Sequence, residues 1–301
     1  MNGYFNIMKS AGMSSAAVVG TMKRLTGEKR VGHAGTLDPE AAGVLPVMTG
    51  KATRLFDYLV DKEKEYVAVI AFGCSTDTQD ATGQILETGD RYPSLELARE
   101  KAMELIGEIR QVPSMYSAIK VGGKPLYQRA RKGETVEVPA RTVRVDSIDV
   151  LREAPDHGME LRIRCGRGTY IRTLCHDLGL LCGCPAHMRS LIRTRSGAFT
   201  IETAITLEEA RELQARGELV NRMLPPDAPL GHLPRVDVSE RYAKLVAAGA
   251  KIPVDESAGL SEEQIGRLYL RDAFWGIVER RENNLVWRAQ IAPEEEVKAC
   301  E

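Results

Sequence analysis

The sequence predicts a mixed α/β protein: a large N-terminal unit followed by a small β-rich tail. Three observations predict it. Helix-cap signals and apolar alternations interleave through the first 230 residues. Residues 224–234, LPPDAPLGHLP, hold four prolines in eleven positions, which neither a helix interior nor a central strand accepts. Beyond them come one short helical pattern and three strand-like runs. The expected division is residues 1–230 and 235–301.

Each element has a local reason. Ser14 caps a helix running to about Leu25. Residues 66–72, YVAVIAF, are apolar on both alternating faces, which suits a central strand covered on both sides. Ser94 opens a helix with Ala98, Ala102, Leu105 and Ile106 on one face, ended by Gly107. In residues 159–165, Met159, Leu161, Ile163 and Cys165 alternate with Glu160, Arg162 and Arg164, giving a strand with one polar face. Thr169 is placed to cap a helix striped by Ile171, Leu174 and Leu178. Thr206 and Glu209 form a capping box. In the tail, a helix near 239–248 precedes strands near 267–270, 274–279 and 285–291, with Asn283-Asn284 as the last turn.

Composition narrows the function classes. With 43% hydrophobic and 28% charged residues the chain is neither disordered nor fibrous. It has no run of 18 apolar residues and its first residues lack an apolar signal core, so a cytoplasmic protein without membrane contact is expected. The net charge of −1 hides a basic middle third, where 17 Lys and Arg face 10 Asp and Glu for a net of +7. That excess suits a polyanionic partner. Cys165, Cys175, Cys182 and Cys184 cluster near His176 and His187 in sequence. Their spacing fits no standard zinc pattern, so free thiols and no metal are expected.

Residues 32–46, GHAGTLDPEAAGVLP, concentrate His33, Asp38 and three glycines. Gly32, Gly35 and Gly43 permit tight turns and close backbone approach. A carboxylate at the tip of such a loop can serve as nucleophile, base or metal ligand, or Asp38-Pro39 can simply start a turn.

This segment resembles the catalytic-aspartate motif of the TruB family, the tRNA pseudouridine-55 synthases. Further segments resemble that family in the same order: Lys64-Glu65-Tyr66, residues 73–83 (GCSTDTQDATG), 111–120 (QVPSMYSAIK, with Ser114 in place of a second proline), 123–131 (GKPLYQRAR), 141–145 (RTVRV), 168–172 (GTYIR) and 188–199 (MRSLIRTRSGAF). The resemblance spans about residues 4–200.

It implies a pseudouridine-synthase fold, with a mixed, mainly antiparallel sheet flanked by helices. The tail resembles, more weakly, a PUA-like RNA-binding domain. The implied reaction is isomerisation of uridine 55 in the tRNA T-stem-loop, without redox change or energy input and hence without a cofactor. No Walker or Rossmann fingerprint is present. Asp38 is implied as nucleophile and Tyr66 as active-site tyrosine. Arg172 is implied as the partner that keeps Asp38 ionised by lowering its pKa. Tyr170 and Leu191 are implied to flank the base, and His33 to fill the stack from which the base leaves. Lys120, Arg129, Arg131 and Arg141 are expected to follow tRNA phosphates. No obligate protein partner is expected. Competing readings are a non-catalytic tRNA-binding protein, a methyltransferase with a cysteine nucleophile, and an N-glycosidase releasing free uracil.

Overall fold

The structure, a computed structural model, describes residues 1–60, 63–117, 120–130, 133–134, 136–253 and 259–292. The strands of the N-terminal part are β1 (Gly3–Lys9), β2 (Val31–His33), β3 (Ala42–Thr49), β4 (Lys64–Phe72), β5 (Cys74–Thr76), β6 (Ile85–Thr88), β7 (Gly107–Gln111), β8 (Lys120–Val121), β9 (Lys124–Pro125), β10 (Arg141–Ala154), β11 (Gly158–Cys165), β12 (Ala186–Ser196) and β13 (Phe199–Thr200). The helices are α1 (Ser15–Thr26), α2 (Phe56–Val60), α3 (Leu95–Ala102), α4 (Leu126–Ala130), α5 (Ile171–Leu181) and α6 (Leu207–Ala215). The main sheet runs β1-β3-β12-β4-β11-β10-β7, with β2 on β3 and β13 on β12. Its pairs are antiparallel except β3 with β12, so the sheet is mixed and mainly antiparallel.

Local chemistry explains the elements. The Ser14 hydroxyl accepts the Ala17 N–H to start α1, and Gly27, at φ +69°, ends it. Thr206 and Glu209 form both bonds of the capping box of α6. On β11, Met159, Leu161, Ile163 and Cys165 are buried, as the alternation requires.

Three local expectations need correction. β4 is central, but α3 and α5 cover only one of its faces; Glu65, Val67 and Val69 are half-buried, and Glu65 pairs with Arg164 at 2.8 Å on the open side. Ile106 is 40% exposed because α3 gives way to a 3₁₀ turn after Ala102, which rotates it off the apolar face. Thr169 does not cap α5: its hydroxyl donates to Gly166 O at 3.2 Å, and Tyr170 is the capping residue, without a side-chain bond.

The C-terminal strands β14 (Arg235–Asp237), β15 (Ile252–Pro253), β16 (Ile265–Leu270), β17 (Ala273–Arg281) and β18 (Asn284–Gln290) form a second sheet, ordered β14-β16-β17-β18-β15. Helix α7 (Ala243–Ala248) covers it, packing with Trp275, which is fully buried. Tyr269, Phe274 and Ile277 share an apolar cluster with Tyr4, Val44 and Met48 of the main sheet. Lys51 and Arg54 donate to the carbonyls of Ala292 and Gln290 at 2.9 and 2.8 Å, so polar bonds also join the two parts.

Candidate active site

The loop from β2 to β3 carries Asp38. It is held on several sides. Lys9, at the end of β1 and fully buried, donates to the carbonyls of Ser10, Met13 and Pro39 at 3.0, 2.6 and 2.9 Å. Ser15, at the start of α1, both accepts the Leu37 N–H and donates to the Leu37 carbonyl, each at 3.0 Å. Arg193 of β12 spans the loop's two ends. Its guanidinium donates to Val44 O at 2.7 Å, Gly35 O at 3.1 Å and Thr36 O at 3.5 Å. Gly35 and Gly43 take φ values of +93° and +114°, so two of the three loop glycines are conformationally required. Gly32 does not take such a value. At Gly43 the close approach is to protein: a Cβ there would lie 2.2 Å from the carbonyl oxygen of Arg193.

Arg172, in the first turn of α5, reaches this loop from the opposite wall. Its Nε lies 3.0 Å from Asp38 Oδ2. Nη1 donates to Thr78 O at 3.1 Å and faces Asp80 Oδ2 at 3.4 Å, and Nη2 donates to Tyr116 O at 3.0 Å. The Arg172 side chain is only 5% exposed, whereas Asp38 keeps 42% of its side chain open to the cleft. The turn after β5 pre-orients Asp80. Its Oδ1 accepts from the hydroxyls of Thr78 and Thr82 at 2.7 and 2.6 Å and from Thr82 N at 2.9 Å.

The electrostatics differ from expectation. The resemblance implies an Asp38 pKa lowered by Arg172. Instead, burial pushes the Asp38 carboxyl above the usual aspartate range, and the nearby Asp80 adds to this. Arg172 and Lys9 only partly oppose it. Burial likewise raises the Tyr66 phenol, with the nearby Arg193 charge opposing, so Tyr66 is neutral at neutral pH. Burial lowers the His33 imidazole and the Arg193 charge lowers it further.

Asp38, Tyr66, Tyr170, Arg172 and Leu191 line one cleft of about 300 Å³, together with Phe56, Ser117 and Arg193. That volume is at the small end of ligand pockets. Gln111, fully buried at the end of β7, fixes Tyr170 by accepting its N–H at 3.0 Å and donating to its carbonyl at 3.2 Å. His33 is half-buried on β2 and is not among the cleft-lining residues. Arg141 is exposed at the start of β10, near the Tyr170 phenol. Arg129 lies in the last turn of α4 and is not among the cleft-lining residues, and Lys120 opens β8. Arg131 lies outside the described residues.

Sequence reasoning missed Lys9, Asp80, Tyr116, Ser117 and Arg193 as site residues. For Asp80, Tyr116, Ser117 and Arg193 the signal was present, since they fall inside the segments quoted above. Lys9 lies well upstream of the first of those segments, on β1. Cys165 and Cys175 are buried thiols, not activated ones. Burial pushes the Cys175 thiol up to about 12 and the Cys165 thiol up to about 11. Among the described residues, no three His, Cys, Asp or Glu side chains gather where a metal ion could sit, and no helix is long and apolar enough to cross a membrane.

Comparison with known proteins agrees with this geometry. Residues 23–171 match the TruB family pseudouridylate synthase N-terminal domain, and residues 172–230 match the tRNA pseudouridylate synthase B C-terminal domain. The chain is similar to tRNA pseudouridine synthase B of Alkaliphilus oremlandii, with 41% identity over 94% of this chain and 95% of that one. It is similar to tRNA pseudouridine synthase B of Bacillus licheniformis, with 42% identity over 88% of each. Among solved structures it resembles a chain of the crystal structure of a Cbf5-Nop10-Gar1 complex. The TM-score is 0.75 and the identity 28%, covering 98% of this chain and 86% of that one. With both family segments in sequence and this identity sustained along nearly the whole length, the chain belongs to the TruB family of pseudouridylate synthases.

Proposed function

We propose that this enzyme isomerises uridine 55 in the T-stem-loop of tRNA to pseudouridine, with Asp38 as nucleophile. The observation that carries the reading is the Asp38–Arg172 pair at 3.0 Å, placed in a cleft walled by Tyr66, Tyr170 and Leu191. The N-glycosidic bond breaks, the uracil turns, and C5 joins the sugar as its hydrogen leaves. A carboxylate nucleophile divides that exchange into easier steps. Arg172 positions the carboxylate. Tyr66 and Tyr170 offer aromatic surfaces to the base, and Tyr66 does so as a neutral phenol. A base inside a folded loop must first leave its stack. His33 lies on β2, at the foot of the Asp38 loop and outside the cleft lining, a placement that suits filling the vacated stack rather than proton transfer.

Lys120, Arg129, Arg131 and Arg141 supply phosphate contacts, which give affinity and register rather than base identity. The segment 235–301 acts as a PUA-like accessory RNA-binding domain to the catalytic segment 1–230. The enzyme works in the cytoplasm on free tRNA, without cofactor or obligate protein partner. Cbf5, its structural relative, is by contrast found with Nop10 and Gar1.

The test is tritium release from unmodified tRNA carrying C5-tritiated uridine, with wild type and Asp38→Asn side by side. Release by wild type alone, with pseudouridine mapped to position 55, is the expected result. Turnover by Asp38→Asn overturns the nucleophile assignment. Tight tRNA binding without any release favours the non-catalytic binding reading.

A further inference from the structure

After β7 the chain brings Ser117 to the cleft, and the residue before it is tied down. The Tyr116 hydroxyl donates to Asp77 Oδ2 at 3.1 Å. Asp77 is itself fixed, since its Oδ1 accepts the Gln84 N–H at 2.8 Å. The Tyr116 carbonyl accepts from Arg172 Nη2 at 3.0 Å. Residue 116 is thus held by its side chain on one turn and by its backbone on the arginine that pairs with Asp38.

Ser117, the next residue, is 2% exposed and lines the same cleft as Asp38 and Tyr66. Its hydroxyl has no hydrogen-bond partner among the described residues. It lies near enough to the Tyr170 phenol to oppose the rise that burial causes there, yet makes no well-formed bond to it. Buried hydroxyls without partners are rare and costly, and each one needs a reason. Two other polar groups of the cleft already have partners: Asp38 with Arg172, and Thr169 with Gly166.

We propose that Ser117 is a substrate-binding residue whose hydroxyl hydrogen-bonds a polar edge of the extruded uracil. The Tyr116–Asp77 and Tyr116–Arg172 contacts hold it at its post. This inference rests on the reaction proposed above. A site that offers such a bond to its substrate leaves its own group unpaired when the cleft is empty.

The test compares wild type, Ser117→Ala, Tyr170→Phe and the double variant in single-turnover tritium release, with thermal unfolding of each. Removing an unpartnered hydroxyl leaves Tm unchanged or higher. Removing a substrate bond lowers kcat/KM about 10-fold, and by the same factor in the Tyr170→Phe background. Wild-type kcat/KM in Ser117→Ala overturns the inference. So does an effect that vanishes in the Tyr170→Phe background, which would make the phenol the hydroxyl's partner. A lowered Tm with unchanged kcat/KM overturns it as well. Absence of release by wild type overturns the proposed reaction, and this inference with it.

Discussion

Arg172 stands between two carboxylates, with Nε 3.0 Å from Asp38 and Nη1 3.4 Å from Asp80. Only Asp38 opens substantially to the cleft, its side chain being 42% exposed against 16% for Asp80. Asp80 therefore fixes the arginine, and the arginine fixes Asp38. Asp80→Asn is expected to lower single-turnover rate about 10- to 100-fold, since small misplacements of reacting groups cost that much. Binding of tRNA should stay within about twofold of wild type, the range expected when no phosphate contact is lost. Rate measurement at saturating enzyme, with filter binding alongside, checks both numbers.

The burial that raises the Asp38 pKa also has a stability consequence. A carboxyl whose folded pKa lies above its unfolded value binds protons more tightly when folded. Its contribution therefore falls as pH rises from the usual aspartate range through the folded pKa. At neutral pH the ionised group is a small liability, screened where it meets water. Asp38→Asn is expected to raise Tm slightly at pH 7 while abolishing turnover, and the gain should vanish at pH 4. Thermal melts at both pH values test the sign.

Lys9 gives a different pH dependence. Burial lowers its ammonium to about 8 while it holds the Pro39 carbonyl beside Asp38. Above that pH the neutral amine has two N–H donors for three carbonyls, and the loop loosens. Stability moves the other way, because the cost of burying the charge is relieved between pH 8 and 10.5. A pH–rate profile should show an alkaline limb near 8 without loss of folded protein. Lys9→Met should remove that limb and run at a rate reduced about 10-fold by the looser loop.

Gly43 admits no side chain. Its φ of +114° disfavours any other residue, and a Cβ would meet Arg193 N and O at 2.5 and 2.2 Å. Gly43→Ala is expected to cost about 3 kcal/mol or more, through strain and the forced parting of β3 from β12. Denaturant unfolding gives the loss directly, and Gly32→Ala, where φ is ordinary and the nearest atom is 3.5 Å away, serves as the mild comparison.

Local signals made much of the fold legible. The caps at Ser14 and Thr206 and the alternation of 159–165 need only neighbouring residues, and they stand where the sequence puts them. β12 was harder to read. Register shifts after Met188 and Arg193 break its alternation, and it carries arginines in the middle of a sheet. Arg193 is buried because distant carbonyls at 35, 36 and 44 surround it, and no spacing rule announces partners about 150 positions away. The pairing of Asp38 with Arg172 was legible only through family resemblance. The direction of the Asp38 shift depends on how deeply the loop is packed, which no motif encodes.

The strand order carries a consequence for synthesis. β12 lies between β3, which follows the Asp38 loop, and β4, which carries Tyr66. A nascent chain that has just emerged through residue 171 already holds both of those residues. It still lacks Arg172, Leu191, Arg193 and the strand that separates β3 from β4. Long-range insertion of this kind is slow compared with helix or hairpin formation. Asp38 consequently stays without its arginine and its floor until a late central strand is seated, so that the finished cleft arrives as one of the last acts of folding.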